Sequence, residues 1–333
     1  MSQIALISCT KSKKGYTCAA KDLYSASCRF RLAYEYASLI ADDIYILSAK
    51  HGLLGKDEVI VPYNETLIEK TANERREWAD KVLNQLSQVA DLENDKFILL
   101  AGQTYIENLV PNLRHCWRPL KNHSQGQWIS RLRGLIETEK ESDKTKVLHR
   151  IFNDVPHLDW TMIDEVPFNN GIYIVFEKGE MFEGLERVTR IGTHRSQDRL
   201  KSRLRQHFIS GNIKSSTFRK NIGRAMYQMV DPGDNGDEDM ESSISDYLRE
   251  HFSFICFPVE DGRERLRLEE AIISTFNQNL SFGPGGNWLG LKSPVTEISG
   301  SGLWNRQGLN KEPLTDLELE RIKWLVRFGW GKQ

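Results

Sequence analysis

Three basic side chains recur every four residues along one stretch of the chain: Arg199, Arg203 and His207. Apolar residues recur at the same interval between them, so segment 196–208 is predicted to be a helix with the basic residues on one face. A planar guanidinium suits a nonbridging phosphate oxygen, and an imidazole can accept a proton or orient water. This face therefore indicates chemistry on a phosphate group, with a solvated basic helix face as the structural alternative.

A pair of carboxylates further along the chain could supply a metal ligand. Glu269 and Glu270 lie in segment 265–276, which is predicted to be a helix. Hydrolysis of a phosphodiester needs charge neutralisation and a stabilised leaving oxygen, which a metal ion supplies. Magnesium prefers oxygen ligands and usually keeps several waters, so one carboxylate can suffice. Glu269 is a candidate ligand of Mg²⁺ or of Mn²⁺. Glu270, about 100° further round the helix, is the alternative ligand, and two solvated carboxylates are the structural alternative.

Two segments rich in β-branched residues precede the basic helix. Segments 171–176 and 187–192 predict strands, and the glycines between them can form a hairpin connection. The first strand carries Tyr173 and the second carries Arg190. A packed strand aromatic is the structural alternative for Tyr173.

These features, taken in order, resemble the GIY-YIG nuclease superfamily over the second half of the chain. Arginine stands at the first position of the second triplet, where that family usually has tyrosine. The family's motifs are matched by Gly171-Ile172-Tyr173, Arg190-Ile191-Gly192, the helical pair Arg203 and His207, the acidic helix segment 268–273, and Asn279 or Asn287 as the late asparagine.

The resemblance implies a metal-dependent endonuclease that hydrolyses DNA, with RNA left open as a substrate. It places the hydroxyl of Tyr173 near the attacking water, and it favours Glu269 over Glu270 because Ile273 follows four residues later. Arg190 could bind phosphate where the second tyrosine is missing. The alternative is a nucleic-acid-binding or sensor protein with a degenerate, non-catalytic domain.

Charge is distributed unevenly in this half. Segment 190–224 holds ten Lys or Arg residues and one acidic residue, Asp198, although the whole chain has a net charge of −1. A local cationic excess of this kind suits a phosphate backbone, so Arg199 and Lys220 are predicted to contact substrate. The acidic, glycine-rich segment 231–241 follows and is predicted to be a solvated connector.

Strands alternate with helices in the first half. Segments 4–9, 43–48 and 96–102 predict buried strands, and the pattern predicts an α/β domain with a doubly wound, mostly parallel sheet. Ligands bind such sheets at the carboxyl ends of the strands. The loops there carry Lys11, Lys13, Lys50 and His51, which are predicted to bind a phosphate or a nucleobase. A turn residue is the structural alternative for His51.

This half resembles a conserved domain related to the peroxide-stress protein YaaA, whose relatives have the uracil-DNA-glycosylase type of fold. The resemblance implies recognition, or excision, of a base in DNA, which could be modified. A base or nucleoside glycosylase is therefore a third functional alternative, and defence against foreign phage DNA would fit both halves together. The matching segments are 8–13, 22–24, 47–54, 62–63 and 101–105, with 119–132 at the end of the domain.

Length and composition set the frame for these hypotheses. A chain of 333 residues favours two domains, predicted at 1–140 and 156–333 with a linker or short connecting helix at 141–155. The second domain is predicted to be α+β with a small antiparallel sheet. No apolar run approaches the roughly 20 residues of a membrane span, and the N-terminus lacks a signal-peptide pattern, so we expect a cytoplasmic protein without a membrane partner. Five cysteines without a Cys-x-x-Cys pair argue against structural zinc and disulfides. A homodimer stays open.

Overall fold

The computed structural model describes residues 2–232 and 238–330. The described chain divides into two compact units, the first ending at Glu141 and the second comprising Ser142–Trp330. No helix among the described residues is long and apolar enough to cross a membrane.

The first unit contains seven strands and five α-helices among its described residues. The strands are β1 (Gln3–Ser8), β2 (Cys18–Ala19), β3 (Asp43–Ser48), β4 (Gly52–Gly55), β5 (Val59–Ile60), β6 (Lys96–Leu100) and β7 (His115–Trp117). The helices are α1 (Ala20–Leu23), α2 (Cys28–Ile40), α3 (Ala72–Leu86), α4 (Gln103–Ile106) and α5 (Trp128–Lys140).

A five-stranded sheet in the order β4-β3-β1-β6-β7 forms the centre of this unit. Strand β1 pairs in parallel with both β3 and β6, β6 pairs in parallel with β7, and only the edge strand β4 is antiparallel. The inner strands are almost continuously apolar because both of their faces are covered, as is typical of parallel sheets. The predicted α/β fold with a mostly parallel sheet is confirmed.

The second unit contains three strands and seven α-helices among its described residues. The strands are β8 (Gly171–Phe182), β9 (Leu185–Gly192) and β10 (Phe252–Pro258). The helices are α6 (Lys144–Asn153), α7 (Leu200–Phe208), α8 (Thr217–Tyr227), α9 (Glu238–His251), α10 (Gly262–Gln278), α11 (Thr296–Ser301) and α12 (Asp316–Phe328).

An antiparallel sheet in the order β10-β8-β9 lies between two apolar clusters. Side chains alternate across a strand, so Ile172 and Ile174 of β8 enter one cluster while Tyr173 and Val175 enter the other. This alternation places Tyr173 on the side of the sheet where α7 and α8 pack. The small antiparallel sheet predicted for this half is confirmed.

The segment 141–155 is mostly helix α6. Asp143 caps its N-terminus by accepting hydrogen bonds from the backbone of Thr145 and Lys146. Its apolar side chains, including Leu148 and Phe152, are buried in the core of the second unit. A helix with a buried face is part of a domain, and residues 142–155 belong to the second unit. Residues 233–237 of the predicted acidic connector lie outside the described residues.

Candidate active site

A cleft of about 750 Å³ opens in the second unit where β8, β9, α7 and α10 meet the loop after α11. Four of the five predicted catalytic residues line it, and His207 lies directly behind its floor. The polar residues that line the cleft include Tyr173, Arg190, Thr193, Arg199, Arg203, Glu269, Glu270 and Asn305.

A chain of three buried side chains runs inward from the floor, beginning at Tyr173. The hydroxyl of Tyr173 lies 2.7 Å from Nε2 of His207, and Nδ1 of the same imidazole lies 2.7 Å from Oγ of Ser216. All three side chains are fully buried. Burial lowers the pKa of His207 well below its usual value, and the neighbouring guanidiniums of Arg190 and Arg203 act in the same direction. The imidazole is therefore neutral at pH 7 and can exchange a proton with the tyrosine hydroxyl.

Gly192 makes room for the tyrosine. It pairs with Tyr173 across β8 and β9, and a Cβ added at Gly192 would overlap the hydroxyl and ring of that tyrosine. The glycine that closes the second triplet is thus required for the position of the hydroxyl in the first.

Replacement of Gly192 by alanine should therefore displace Tyr173 and destabilise the fold. Overpacking a filled site costs about 1–3 kcal/mol, so the free energy of unfolding should fall by that amount in urea titrations. Gly283→Ala is the control, since a Cβ there meets no atom within 4 Å. Equal stability of the two variants would contradict the tight packing inferred at Gly192.

Arg190 is a buried cation at the cleft. Its Nη1 donates to the carbonyl oxygen of Trp304 at 2.8 Å, and its guanidinium carbon lies 4.9 Å from the ring centroid of Phe218. Its Nε is buried without a hydrogen-bond partner. A buried donor without a partner costs about 1–3 kcal/mol, so the described residues leave part of the hydrogen-bonding capacity of this guanidinium unsatisfied.

Glu269 is held at the cleft by α10. The backbone N–H of Thr193, just after β9, donates to Oε1 of Glu269 at 3.0 Å. Burial raises the pKa of this carboxyl to about 7, although the charge of Arg190 and the Thr193 hydrogen bond oppose the rise. A raised pKa at a cleft is typical of a group that works by binding a cation or a proton. The neighbouring Glu270 also lines the cleft, with the amine of Lys311 3.9 Å away.

Arg203 projects from α7 beside these groups. It donates to the carbonyl oxygen of Ser215, to Gln206 and to Thr217, at distances of 3.1–3.4 Å. Arg199 lines the cleft too, but it is the residue before the helix. The prediction that the helix begins at 196 was wrong by four residues, because Asp198 has a φ of 59° and interrupts the helical conformation.

Three predicted substrate contacts lie away from the cleft lining. Lys220 pairs with Asp231 at 2.8 Å, and the side-chain amide of Asn279 donates to Asp143 at 2.9 Å. Asn287 is exposed in the loop after α10. The structure does not bring these residues to the candidate active site.

Asn305 is the asparagine that the structure places in the cleft. It accepts from the backbone N–H of Ile191 at 3.1 Å and donates to the carbonyl oxygen of the same residue at 2.8 Å. This bidentate contact fixes the end of β9 beside Arg190. The sequence signal was present, since Asn305 follows Gly302 and Trp304 in a turn-rich loop, but nothing local distinguished it from the two earlier asparagines.

No cluster of three or more His, Cys, Asp or Glu side chains that could hold a metal occurs in the described parts of the chain. A cation in this cleft would therefore have one or two carboxylates as ligands, with water and substrate oxygens as the others. Magnesium tolerates such a set, because it keeps several waters and binds through one or two carboxylates.

In the first unit, the predicted ligand-binding residues follow two strands: Lys11 and Lys13 come after β1, and Lys50 and His51 come after β3. Lys11 is exposed, while the amines of Lys13 and Lys50 lie 4.6 and 5.8 Å from the ring centroid of Tyr63. The ring of His51 meets the same tyrosine edge-on, with 5.3 Å between centroids.

Comparison with known proteins agrees with the geometry of the second unit. Residues 4–134 match a family of unknown function, DUF6884. No curated protein and no solved structure matched the chain. Residues 146–327, more than half of the chain, match the GIY-YIG domain. The chain therefore belongs to the GIY-YIG family.

Proposed function

We propose that the second unit is a metal-dependent endonuclease that hydrolyses phosphodiester bonds of DNA. Family membership supports a nuclease-type enzyme. The observation that carries the proposal is the convergence of Tyr173, Arg203 and Glu269 on one cleft, with His207 hydrogen-bonded to the tyrosine. This set combines a proton carrier, a phosphate-binding cation and a metal ligand.

Proton transfer, phosphate binding and metal binding fall to different residues of the cleft. The hydroxyl of Tyr173 takes up the proton of the attacking water and passes its own proton to the neutral His207 behind it. The guanidiniums of Arg203 and Arg190, which both line the cleft, hold nonbridging phosphate oxygens. Glu269 would hold Mg²⁺ or Mn²⁺, which neutralises phosphate charge and stabilises the leaving oxygen.

Ser216 sets the orientation of the imidazole. It caps α8 by accepting from the backbone N–H of Arg219 at 3.2 Å, and its hydroxyl meets Nδ1 of His207. A hydrogen bond between the serine hydroxyl and Nδ1 fixes which imidazole nitrogen faces the tyrosine. The proton path from Tyr173 is thus anchored to the start of the next helix.

Arg190 favours a second candidate function. It replaces a family tyrosine, and a cleft that keeps the phosphate contacts but lacks that hydroxyl suits a nucleic-acid-binding or sensor protein that does not cut. We favour cleavage because the tyrosine–histidine pair and Glu269 are in place. For the first unit we propose recognition of a base, modified or unmodified, with glycosidic excision as the alternative activity.

A cleavage assay tests the proposal. The full chain is incubated with supercoiled plasmid DNA and with plain, base-modified and RNA duplexes, in Mg²⁺ or Mn²⁺ and with or without a chelator. Strand breaks that need the cation are expected, and free-base release is followed by chromatography in the same reactions. Tight binding without strand breaks on every substrate would contradict cleavage and favour the binding function.

The pH dependence of cleavage should follow Glu269. The pKa of its carboxyl is about 7 without cation, so the group is mostly protonated below that pH and cannot bind Mg²⁺. At subsaturating Mg²⁺ the rate should therefore rise by about tenfold per unit as pH increases towards 7 and then level off. Saturating Mg²⁺ should shift the rise to lower pH. A rate that is independent of pH between 5.5 and 7 at low Mg²⁺ would contradict this role.

A further inference from the structure

Three hydroxyl groups meet at the carboxyl end of β3 in the first unit. The hydroxyl of Tyr63 lies 2.7 Å from that of Tyr24 and 2.7 Å from Oγ of Ser48. The backbone N–H of His51 donates to Ser48 at 3.0 Å. Tyr24 and Ser48 are fully buried, so these contacts fix the half-buried ring of Tyr63 at its hydroxyl end.

Two ammonium groups converge on this ring. The amines of Lys13 and Lys50, from the loops after β1 and β3, lie 4.6 and 5.8 Å from the centroid of Tyr63. Neither amine has a carboxylate within ion-pair distance among residues 2–232 and 238–330. Two like charges on one aromatic ring repel each other, so the arrangement favours an anion between or beside them.

The acidic residues near this cluster are engaged elsewhere. Glu65 pairs with Lys70 at 2.7 Å, and Glu58 accepts from the backbone N–H of Gly55 at 3.3 Å. Burial lowers the pKa of Lys13, because its charged form loses hydration without gaining a carboxylate partner. Among the described residues, the cluster therefore has no carboxylate counter-ion.

His51 adds a buried nitrogen without a partner. Its Nε2 is inaccessible to solvent and makes no hydrogen bond. Its ring meets Tyr63 edge-on with 5.3 Å between centroids, so the side chain of His51 packs against the same tyrosine as the two lysines. A polar atom left unpaired here is a second, independent sign of a missing ligand.

We propose that Lys13, Lys50 and His51, arranged around Tyr63, form a binding site for a phosphate monoester. A monoester carries nearly two negative charges at pH 7 and matches two ammonium groups, whereas a phosphodiester carries one. The site lies at the carboxyl ends of parallel strands, where α/β sheets bind their ligands. A free nucleotide and the 5′-phosphate end of a nucleic acid share this chemistry. The inference concerns a different unit from the cleft proposed for strand cleavage and does not depend on it.

Binding to the full chain tests this site. Calorimetry would use the Glu269→Gln variant, which prevents strand cleavage, with inorganic phosphate, a nucleoside 5′-monophosphate, and duplexes bearing a 5′-phosphate or a 5′-hydroxyl. Lys13→Met and Lys50→Met should each weaken binding of the phosphate-bearing ligands by about 10- to 100-fold, as expected for a hydrogen bond to a charged group. Lys121→Met, at an exposed lysine of the same unit, should leave the affinity within about twofold.

Two further comparisons distinguish the two possible ligands, a free nucleotide and a 5′-phosphate strand end, and separate binding by the first unit from binding by the second. Tighter binding of the mononucleotide than of inorganic phosphate assigns the site to free nucleotides, and preference for the 5′-phosphorylated duplex assigns it to strand ends. Arg203→Met, in the other unit, should weaken duplex binding through the cleft but leave the fold-change caused by each lysine variant the same. The proposal is overturned if no phosphate ligand binds, or if affinity is the same in wild type and in both lysine variants while circular dichroism shows all of them folded.

Discussion

Tyr173→Phe is expected to reduce strand cleavage by about 10²- to 10⁴-fold, the usual contribution of a positioned proton-transfer group. The ring and its packing are kept, so only the hydroxyl that faces Nε2 of His207 is lost. DNA affinity should change little, because Arg190 and Arg203 still hold the phosphate. Single-turnover cleavage and filter binding measure the two effects separately.

A second Tyr→Phe substitution, away from the cleft, controls for the loss of a tyrosine hydroxyl. Tyr227 is partly exposed at the end of α8 and does not line the cleft, so Tyr227→Phe should cleave like the wild type. Removal of the Tyr173 hydroxyl also leaves a buried imidazole nitrogen unpaired, which costs about 1–3 kcal/mol of stability. Wild-type cleavage by folded Tyr173→Phe would exclude this hydroxyl from proton transfer.

Glu269→Gln is expected to lower cleavage by at least about 10³-fold, since a catalytic cation supplies several kcal/mol of charge stabilisation. Glutamine keeps an oxygen that can accept the hydrogen bond from Thr193, so the local fold should persist. The amide carries no charge and binds Mg²⁺ poorly. Binding of DNA in the absence of cation should be retained.

Glu270→Gln is the matched control, because this carboxylate is adjacent in sequence and lines the same cleft. Its cleavage rate should stay within about threefold of the wild type, as for a charge that does not touch the reacting atoms. The reverse pattern, with Glu270→Gln inactive and Glu269→Gln active, would assign the metal to Glu270. Both variants would be compared by metal titration of the cleavage rate.

Short residue patterns in the sequence predicted the strand and the helix that form the cleft. The β-branched and aromatic residues along 171–176 predicted the strand that carries Tyr173. The four-residue spacing of Arg203 and His207 gave their common helix. Each of these patterns spans fewer than about ten residues and reflects the geometry of one element. The side chains that carry the proposed chemistry were therefore accessible from sequence.

Contacts between distant segments were not accessible in this way. Asn305 reaches Ile191 across 114 positions in the chain, and no local pattern indicates that pairing. Ser216 meets His207 only because α8 begins beside the end of α7. The sequence also did not indicate that α6 packs into the core of the second unit. Segment 141–155 begins with polar residues, and its apolar face is recognised only from the core residues that cover it.

The central claim is that one cation held by Glu269 serves the cleft formed by Tyr173, Arg203 and His207. It is tested most directly by anomalous scattering from crystals of the full chain soaked with Mn²⁺ and a DNA duplex. We predict a peak about 2.1 Å from a carboxylate oxygen of Glu269, in contact with a phosphate oxygen of the duplex. A protein that cuts DNA in solution but shows its Mn²⁺ peak away from Glu269, or no peak in the cleft, would contradict the claim.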